Sequence, residues 1–465
     1  GKLQMKKWLR YTVLILLLWL LFVILCLVVP PLFHKEAGYG PGADAEGDSF
    51  STPERILCID DNKEALIWRL RLIGAAKERI ILTTFDFRDE ESGQDIMAAL
   101  WEAAQRGVKV QILVDGINGM FFLSDSSHFK QLVSHEQVEA RFYNPIDLFR
   151  PWRTNYRMHD KYLIADDWGY ILGGRNTDNR FLGYYKESYN EDRDLLVYGE
   201  KPGQGSSFQA LEAYFHEIWN QPCCKEFDAK GGIGGLEQCC ERVKERYPEA
   251  FDRIYSKEDW EKATMETRGI ELWTNPTEPE NKEPVVWERM IAAMEGEEDI
   301  LVQTPYMICS RKMYEDLRSV CEKGARVDIV INAVESGTNP FGCTDYLNQK
   351  KKICQAGVHI YEYLGDQAQH TKSLAVGEEL SIIGSCNFDM RSVYLNTEMM
   401  LAVDCPELNA SIREQARPLK EKSRHMSPDG RTEDGQNYEP REQDMAKRAV
   451  YALLRIVISP FRHVL

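Results

Sequence analysis

Two polar stretches of this 465-residue chain repeat each other, and this repeat constrains the fold more than any other feature of the sequence. Each copy places a His two residues before a Lys and then reaches an Asn after a glycine turn: His159, Lys161 and Asn176 in the first copy, and His370, Lys372 and Asn387 in the second. The two histidines are 211 positions apart, and so are the two asparagines. A single His-x-Lys is usually accidental, but two copies in register indicate a functional duplication.

The spacing within each copy brings its polar groups together. In an extended chain, residues i and i+2 point to the same face, so the imidazole and the ammonium emerge side by side. The apolar run 162–165 is typical of a buried strand. The Gly-Gly or Gly-Ser turn after the next apolar run lets the chain bend and returns the Asn amide to the same place.

This pattern resembles the phospholipase D superfamily, whose signature is H-x-K-x4-D followed by G-[GS]-x-N. The resemblance implies that both copies build one active site between two similar halves. The first copy matches in full, with Asp166 at the acidic position, whereas the second has Gly377 there. In the family this Asp is mainly structural, so we expect an intact His-Lys-Asn core in the second copy. Glu378 and Glu379 are candidates for replacing the missing carboxylate.

Helical and strand patterns alternate before each copy. They predict helices over 65–76, 96–105, 286–294 and 313–322, and strands over 79–85, 108–114, 299–304 and 326–331. Gly107 and Gly324 follow helices in closely similar contexts and are predicted helix caps. This alternation predicts an α/β fold with a mainly parallel sheet covered by helices. The resemblance implies two α/β/α halves that form a pseudo-dimer.

The predicted organisation has six parts. They are an N-terminal segment with a transmembrane helix (1–33, helix 11–33), a tether (34–53), the first half (54–222), a charged helical insertion (223–268), the second half (269–420), and a polar linker with a C-terminal amphipathic helix (421–465). We expect the polar stretch 423–444 to be disordered.

The apolar N-terminal segment predicts a membrane anchor. Tyr11 to Phe33 contains no charged residue, and its 23 positions would span about 34 Å as a helix, against about 30 Å for a bilayer core. A secretory signal is the alternative, but its apolar region is shorter and ends at a small-residue cleavage site, which Pro30-Pro31 does not provide. Basic residues precede the segment and acidic residues follow it. The positive-inside rule therefore predicts a single-pass protein of the cell membrane with a cytoplasmic N-terminus.

Charge and cysteine content limit the possible partners. The net charge of −16 disfavours a general nucleic-acid binder, which normally has a basic face. The twelve cysteines include the adjacent pairs Cys223-Cys224 and Cys239-Cys240; they would be disulfides outside the cell or thiols inside it. Adjacent cysteines chelate zinc less well than C-x-x-C. No acidic cluster with Mg²⁺ or Ca²⁺ spacing accompanies the motifs, so we predict no metal and no cofactor.

An acid follows each copy of the motif. A carboxylate on the far nitrogen of a His fixes its tautomer and orientation, and the resemblance gives this task to Asp194 and Glu398. Displacement at a phosphodiester adds negative charge to the non-bridging oxygens, which two lysines and two Asn amides stabilise without a metal. One His attacks phosphorus and the other serves as acid and base. The resemblance assigns His159 as nucleophile and His370 as acid/base, an order that the sequence alone leaves open.

The second copy and the C-terminus point to a lipid substrate. Residues 384–392 and 395–398 resemble the cardiolipin synthase branch of the superfamily. An anchored site meets lipid head groups at high effective concentration. Met445 to Leu465 is a basic amphipathic segment, which would lie in an anionic interface or pack on the domain. We predict a membrane-anchored phosphatidyltransferase acting on phosphatidylglycerol, with phosphatidylethanolamine as a second candidate donor.

Three other functions stay open at this point. The first is a phospholipase D that uses water as acceptor. The second is a nuclease of the same superfamily, which the net charge disfavours. The third is a catalytically weak lipid-binding protein, which only Gly377 supports.

Overall fold

The computed structural model describes residues 2–35, 54–199, 205–229, 231–232 and 234–465. Its main feature is two nine-stranded sheets, one from each half of the chain. The predicted α/β class with two similar halves is therefore confirmed. Most of the predicted tether (34–53) lies outside the described residues.

An N-terminal helix α1 (Lys2–Val28) precedes the first half. The first-half strands are β1 (Arg55–Ile59), β2 (Arg79–Thr84), β3 (Lys109–Asp115), β4 (Val138–Tyr143), β5 (Tyr162–Ala165), β6 (Gly169–Gly173), β7 (Asn190–Glu191), β8 (Asp194–Tyr198), β9 (Cys224–Glu226) and β10 (Met265–Glu266). The helices are α2 (Asn62–Ala75), α3 (Glu91–Gln105), α4 (Gly116–Asn118), α5 (Ser127–Val133), α6 (Ser207–Trp219), α7 (Leu236–Arg246) and α8 (Lys257–Ala263).

The second half repeats this alternation. Its strands are β11 (Gly269–Thr274), β12 (Asp299–Gln303), β13 (Met307–Ile308), β14 (Arg326–Asn332), β15 (His359–Tyr363), β16 (Ala368–Gln369), β17 (Ser373–Val376), β18 (Leu380–Gly384), β19 (Phe388–Asp389), β20 (Met399–Asp404), β21 (Ser423–Met426) and β22 (Thr432–Asp434). Its helices are α9 (Val285–Met294), α10 (Arg311–Glu322), α11 (Pro340–Gln355), α12 (Met390–Tyr394), α13 (Pro406–Glu421) and α14 (Met445–Val457). Gly107 and Gly324 follow α3 and α10 with positive φ, as their predicted capping role requires.

Eight consecutive strands correspond in order between the two described sheets, whereas β10 at one edge of the first sheet and β22 at the opposite edge of the second have no counterpart. The first sheet runs β10-β1-β8-β6-β5-β2-β3-β4-β9, and the second runs β11-β20-β18-β17-β12-β14-β15-β21-β22. Strand β5 after the first His-Lys pair thus corresponds to β17 after the second. The two sheets face each other across an apolar layer that contains residues of both halves and of helices α6 and α13. Each outer face is covered by its own helices.

The prediction of mainly parallel sheets is wrong. Within the two described nine-stranded sheets, only β2-β3-β4 and β12-β14-β15 pair in parallel, and the strands next to the motifs pair antiparallel. The connection between β5 and β6 is three residues long, and so is that between β17 and β18. Such short connections join antiparallel neighbours, because a parallel crossover needs a dozen or more residues.

Two other segments differ from the prediction. The expected insertion 223–268 belongs to the first half, because β9 pairs with β4, β10 pairs with β1, and α7 packs on α3. The expected disordered stretch 423–444 contains β21 and β22, which extend the second sheet beyond β15. Edge strands of this kind add polar residues to a sheet without needing an apolar run, so sequence hydrophobicity does not reveal them.

Candidate active site

The two His-Lys pairs lie where the halves meet. His159 precedes β5 and His370 precedes β17. Just before each pair, the backbone leaves its own sheet and pairs with the other half: Met158 forms a parallel bridge with Thr397, and β16 pairs in parallel with β7. The amide of His370 also donates to Glu191 O at 2.6 Å. These pairings bring both motifs to one buried site.

Each catalytic candidate His receives a carboxylate from the opposite half. His159 Nδ1 lies 2.9 Å from Oε1 of Glu398, and His370 Nδ1 lies 2.6 Å from Oδ2 of Asp192. Both carboxylates are fully or almost fully buried. In each pair Nδ1–H donates to the carboxylate, which leaves Nε2 with a lone pair in the neutral ring.

The structure corrects the assignment of Asp194. Its carboxylate pairs with Arg69 at 2.9 Å and Arg175 at 3.2 Å, and it does not contact His370. Asp192, two residues earlier, takes the predicted orienting place. Aligning the apolar runs 195–197 and 401–403 matches Glu398 to Asp192, so the sequence held a signal for the right residue.

The lysines of both copies are buried beside their histidines. Lys161 Nζ donates to His159 O at 2.5 Å, and Lys372 Nζ lies 3.0 Å from Nε2 of His370. Burial lowers the pKa of Lys161 to about 7 and that of Lys372 to about 8, although nearby carboxylates oppose the shift. Two ammonium groups held in a dry site form a receptor for an anion, which would offset the cost of their burial.

Burial also lowers the pKa of both imidazoles. The pKa of His159 falls well below its usual value, with Lys161 and Lys372 adding to the effect of burial. Burial and Lys372 lower the pKa of His370 to about 3, against the opposing charge of Asp192. Both rings are therefore neutral in the ligand-free site at pH 7.

The pKa values of the two orienting carboxylates are shifted in opposite directions. Burial alone would raise the pKa of Asp192, but Lys372 and His370 outweigh it and bring the pKa to about 2. Burial raises the pKa of Glu398 to about 7, despite Lys161 and a 2.5 Å hydrogen bond from Ser385 Oγ. The pKa of Asp192 behind His370 is thus held below its usual range, whereas the pKa of Glu398 behind His159 is raised above its usual range.

The two motif asparagines are also buried in this site. The Oδ1 atoms of Asn176 and Asn387 have no hydrogen-bond partner among the described residues. The Nδ2 of Asn387 lies 3.4 Å from Tyr306 OH, a long contact that a ligand could replace. An aromatic edge packs on each imidazole at 4.9 Å between centroids, Phe85 on His159 and Phe181 on His370.

Asp166 lies outside this cluster and has a structural role. It has φ of 49°, and its carboxylate accepts backbone N–H groups from Lys77, Glu78 and Arg79 at 2.8–3.0 Å. It thereby caps the turn that leads into β2. Asp166 therefore cannot touch a substrate bound at the histidines, although the sequence motif predicted it as a site residue.

Gly377 keeps the backbone geometry of Asp166 with φ of 56°. Its N–H donates to Asp299 O at 3.0 Å, as the N–H of Asp166 does to Arg79 O at 2.9 Å. The missing carboxylate is replaced by Arg413, which donates to Gly377 O at 2.7 Å, to Ala375 O at 3.1 Å and to Asp299 O at 3.0 Å. Glu379 pairs instead with Arg268, and Glu378 forms no hydrogen bond to this turn within the described part of the chain.

Three further site residues were not predicted. Arg391 is partly buried, and its positive charge contributes to the lowered pKa of His159. Tyr306 and Asn339 line a small cavity that opens beside His370. Arg391 lies four residues after Asn387, whereas no spacing rule marks Tyr306 and Asn339, which lie far from His370 in the chain.

Each half of the chain supplies one His, one Lys and one Asn to the site, and each His is oriented by a carboxylate of the other half. This arrangement defines a phospholipase D-like enzyme built as an internal pseudo-dimer. Comparison with known families agrees. The family described as cardiolipin synthase, PLD-like domain, matches residues 70–219 and 290–419. The matched segments cover more than half of the chain, which therefore belongs to this family.

Individual relatives are distant but extensive. The chain is 25% identical over 408 residues to cardiolipin synthase C of Escherichia coli (strain K12), covering 76% of this chain and 82% of that protein. It is 23% identical over 404 residues to an uncharacterised protein of Helicobacter pylori (strain J99), covering 80% of each. The fold is similar to that of the phosphatidylserine synthase of Haemophilus influenzae Rd KW20, with a TM-score of 0.63, 13% identity, and coverage of 90% of this chain and 98% of that one.

Proposed function

We propose that this enzyme is a phosphatidyltransferase of the cardiolipin synthase type, anchored to the membrane by α1. It would move a phosphatidyl group from one phospholipid to the glycerol hydroxyl of phosphatidylglycerol. The observation that carries the proposal is the pair of crossed His-carboxylate contacts, each with a buried Lys beside it. The cardiolipin synthase of E. coli among its relatives supports the choice of a lipid substrate.

In the first step, the donor phosphate lies between Lys161 and Lys372, and the two Asn amides donate to its non-bridging oxygens. His159 Nε2 attacks phosphorus, and the bond from phosphorus to the leaving glycerol oxygen breaks. His370 Nε2–H gives its proton to that oxygen, so free glycerol leaves when phosphatidylglycerol is the donor. A phosphatidyl group now remains on His159.

The second step reverses these roles. Neutral His370 takes the proton from the hydroxyl of an acceptor phosphatidylglycerol, and that oxygen attacks phosphorus. The bond between phosphorus and His159 breaks, which releases cardiolipin and restores the starting site. Two phosphatidylglycerol molecules thus give one cardiolipin and one glycerol.

The different carboxylates support this division of labour. The acid must hold a proton in the first step, and the ionised Asp192 stabilises an imidazolium at His370. The anionic phosphodiester offsets part of the positive charge of the lysines and so favours this protonation. The nucleophile must be neutral, and the weaker charge of Glu398 suits this role for His159.

Helix α1 supports the membrane assignment. The segment Gln4–Leu32 is long and apolar enough to cross a bilayer, and none of its most apolar 18-residue stretch is buried in the isolated chain. The positive-inside rule, applied to the basic residues before it, favours a cytoplasmic N-terminus with the catalytic body on the other side.

The test is a product assay with the full chain in phosphatidylglycerol vesicles, with a chelator in place of added metal. Mass spectrometry should find cardiolipin and glycerol in the wild type and neither in His159→Ala or His370→Ala. His216→Ala is the matched control, because His216 is exposed on α6 and away from the motifs. A phosphatidyl adduct on the peptide that contains His159 would identify the nucleophile.

Other outcomes separate the alternatives. Phosphatidic acid in place of cardiolipin would mean that water is the acceptor and the enzyme is a phospholipase. An adduct on His370 would reverse the proposed order. No product from phosphatidylglycerol, from phosphatidylethanolamine or from nucleic acid would refute the enzymatic proposal.

A further inference from the structure

The end of α1 is bonded to the catalytic body at several points. Asn155 Nδ2 donates to Leu27 O at 2.5 Å, and His463 Nε2 lies 2.8 Å from Val28 O. The last carbonyls of a helix have no partner within the helix, so these side chains complete its C-terminus. Asn281 Nδ2 adds bonds to Pro30 O at 2.9 Å and Phe33 O at 2.7 Å just beyond it. The anchor therefore has a defined position on the body.

This attachment lies close to the active site. The ring of His34 stacks on Tyr394 with 3.9 Å between centroids. In the same short helix, the guanidinium of Arg391 donates to Asn155 O and to Val464 O, both at 2.7 Å. Arg391 thus contacts both segments that hold α1, and its charge acts on His159. The membrane end of the anchor and the reacting centre are fixed relative to each other.

Helix α14 has two apolar faces, of which only one packs on the protein. Tyr451 is buried in the core of the second half, Leu454 packs against that core, and α14 contacts α11. Leu453 is 64% exposed, Ile456 is 75% exposed, and Val450 is half exposed on the other side of the helix. A surface helix normally presents polar residues to water, so this second face indicates a non-aqueous neighbour.

The first half has a similar apolar surface. Phe149 is 91% exposed and Leu148 is 67% exposed, and Trp152 follows them in a 3₁₀ turn. That turn, Pro151–Arg153, contacts α1. On the other side, the 3₁₀ segment Ser459–Val464 after α14 contacts the turn Pro30–Leu32 at the end of the anchor. Both apolar surfaces are thus continuous with α1.

We propose that these two surfaces form a second membrane contact, which we call the interfacial rim and define by Leu148, Phe149, Trp152, Val450, Leu453 and Ile456. The rim enters the head-group and acyl boundary of the same bilayer that α1 spans. This inference rests on the membrane anchoring in the proposed function. It seats the active site at the lipid surface, so that a phospholipid reaches the histidines without leaving the bilayer.

Charge beside the rim agrees with this occupant. Arg150 and Arg448 are exposed next to the two apolar surfaces, although the chain as a whole carries a net charge of −16. Basic residues next to an exposed apolar helix face attract anionic head groups such as that of phosphatidylglycerol. A binding site for a protein would not need to lie next to the end of a membrane helix. The position of these apolar and basic residues beside α1 therefore favours a bilayer as the occupant.

The first test is photolabelling of the full chain in phosphatidylglycerol vesicles that contain a lipid with a diazirine in its acyl chain. Peptides of α1 serve as the positive control. We expect labels also on peptides that contain Phe149 and Ile456, and none above background on the peptide that contains the exposed Ile254. Labels confined to α1 would overturn the rim. This readout does not depend on catalysis, so it stays informative if the proposed reaction is wrong.

The second test compares two forms of the substrate. The variant Phe149→Ser/Ile456→Ser should lower turnover of vesicle phosphatidylglycerol about tenfold, since partial burial of these two exposed side chains in the interface contributes free energy that together is worth about that factor. Turnover of dispersed short-chain phosphatidylglycerol should be unchanged. Ile254→Ser is the matched control. Equal losses on both substrates would mean damage to the fold and would contradict the proposed role of the interfacial rim. The variant Phe149→Leu, which keeps an apolar side chain, should retain activity on vesicles.

Discussion

Replacing Asp192 by Asn removes the charge behind His370 with little change of shape. Asp192 Oδ2 is 2.6 Å from His370 Nδ1, and the carboxylate is buried. An amide at this place no longer fixes the tautomer of the ring and no longer stabilises an imidazolium. Hydrogen bonds to charged groups contribute about 1.5–3 kcal/mol, and every 1.36 kcal/mol is about tenfold in rate. We therefore expect kcat to fall about 10- to 100-fold.

The neighbouring substitution Asp194→Asn is the matched contrast. It removes the counter-charge of Arg69 and Arg175, which lie 2.9 and 3.2 Å from Asp194 Oδ2. Breaking such a buried ion pair costs about 3–5 kcal/mol of stability because it leaves an uncompensated charge. Asp194 does not contact either His, so the folded fraction should keep its kcat. One substitution should thus affect mainly rate and the other mainly stability.

The assay measures cardiolipin formation as a function of pH, normalised to the folded fraction from thermal unfolding. The negative Asp192 favours protonated His370, so its removal lowers the pKa of that ring. An acid with a lower pKa loses its proton at lower pH, and the pH optimum of Asp192→Asn should move to the acidic side. A kcat loss in folded Asp194→Asn, together with normal kcat in Asp192→Asn, would refute the assignment of Asp192 as the residue that orients His370.

Three other predictions concern charge and backbone support. The pKa of Lys372 is lowered to about 8, so its charge is lost as pH rises through that value. The affinity for inorganic phosphate, measured by calorimetry, should therefore weaken above pH 8. The variant Lys372→Met should remove most of this pH dependence. Asp166→Ala leaves three backbone N–H groups without their acceptor and should lower stability by about 2–4 kcal/mol, seen as a lower Tm, with normal kcat in the folded fraction. Gly377→Asp should not stabilise the protein, because the turn that its carboxylate would cap carries three acidic residues, 297–299; a higher Tm would contradict this reasoning.

Local patterns in the sequence were sufficient to predict the helices and strands that precede each motif. The helices and strands before each motif lie within a few residues of their predicted bounds, because apolar periodicity and glycine caps act over short distances. The pairing direction was readable too, since only three residues separate β5 from β6, but the alternation of helices before them favoured a parallel interpretation. No comparable pattern in the sequence indicated the edge strand β21.

The sequence predicted most of the residues that form the site, but it did not predict which carboxylate contacts which histidine. The register of the duplication brought both histidines, both lysines and both asparagines into one set. The exchange of carboxylates depends on pairing between segments nearly 180 residues apart, such as β7 with β16. The resemblance implied Asp194 as the orienting residue. Asp192 lies on the same face of an extended chain, and the strand register decides which of the two reaches the histidine.

This exchange also explains why the second copy of the motif can lack its acidic residue. The ring of His370 is held by Asp192 and its amide by Glu191 O, both from the first half, so its orientation does not depend on the turn at Gly377. That turn is closed by Arg413, which occupies three carbonyls where the first half uses a carboxylate. Loss of the acid therefore changes the hydrogen bonds that close one turn of the second sheet, and it leaves the reacting groups in place. A catalytically weak binding protein had Gly377 as its only support, and the geometry removes that support.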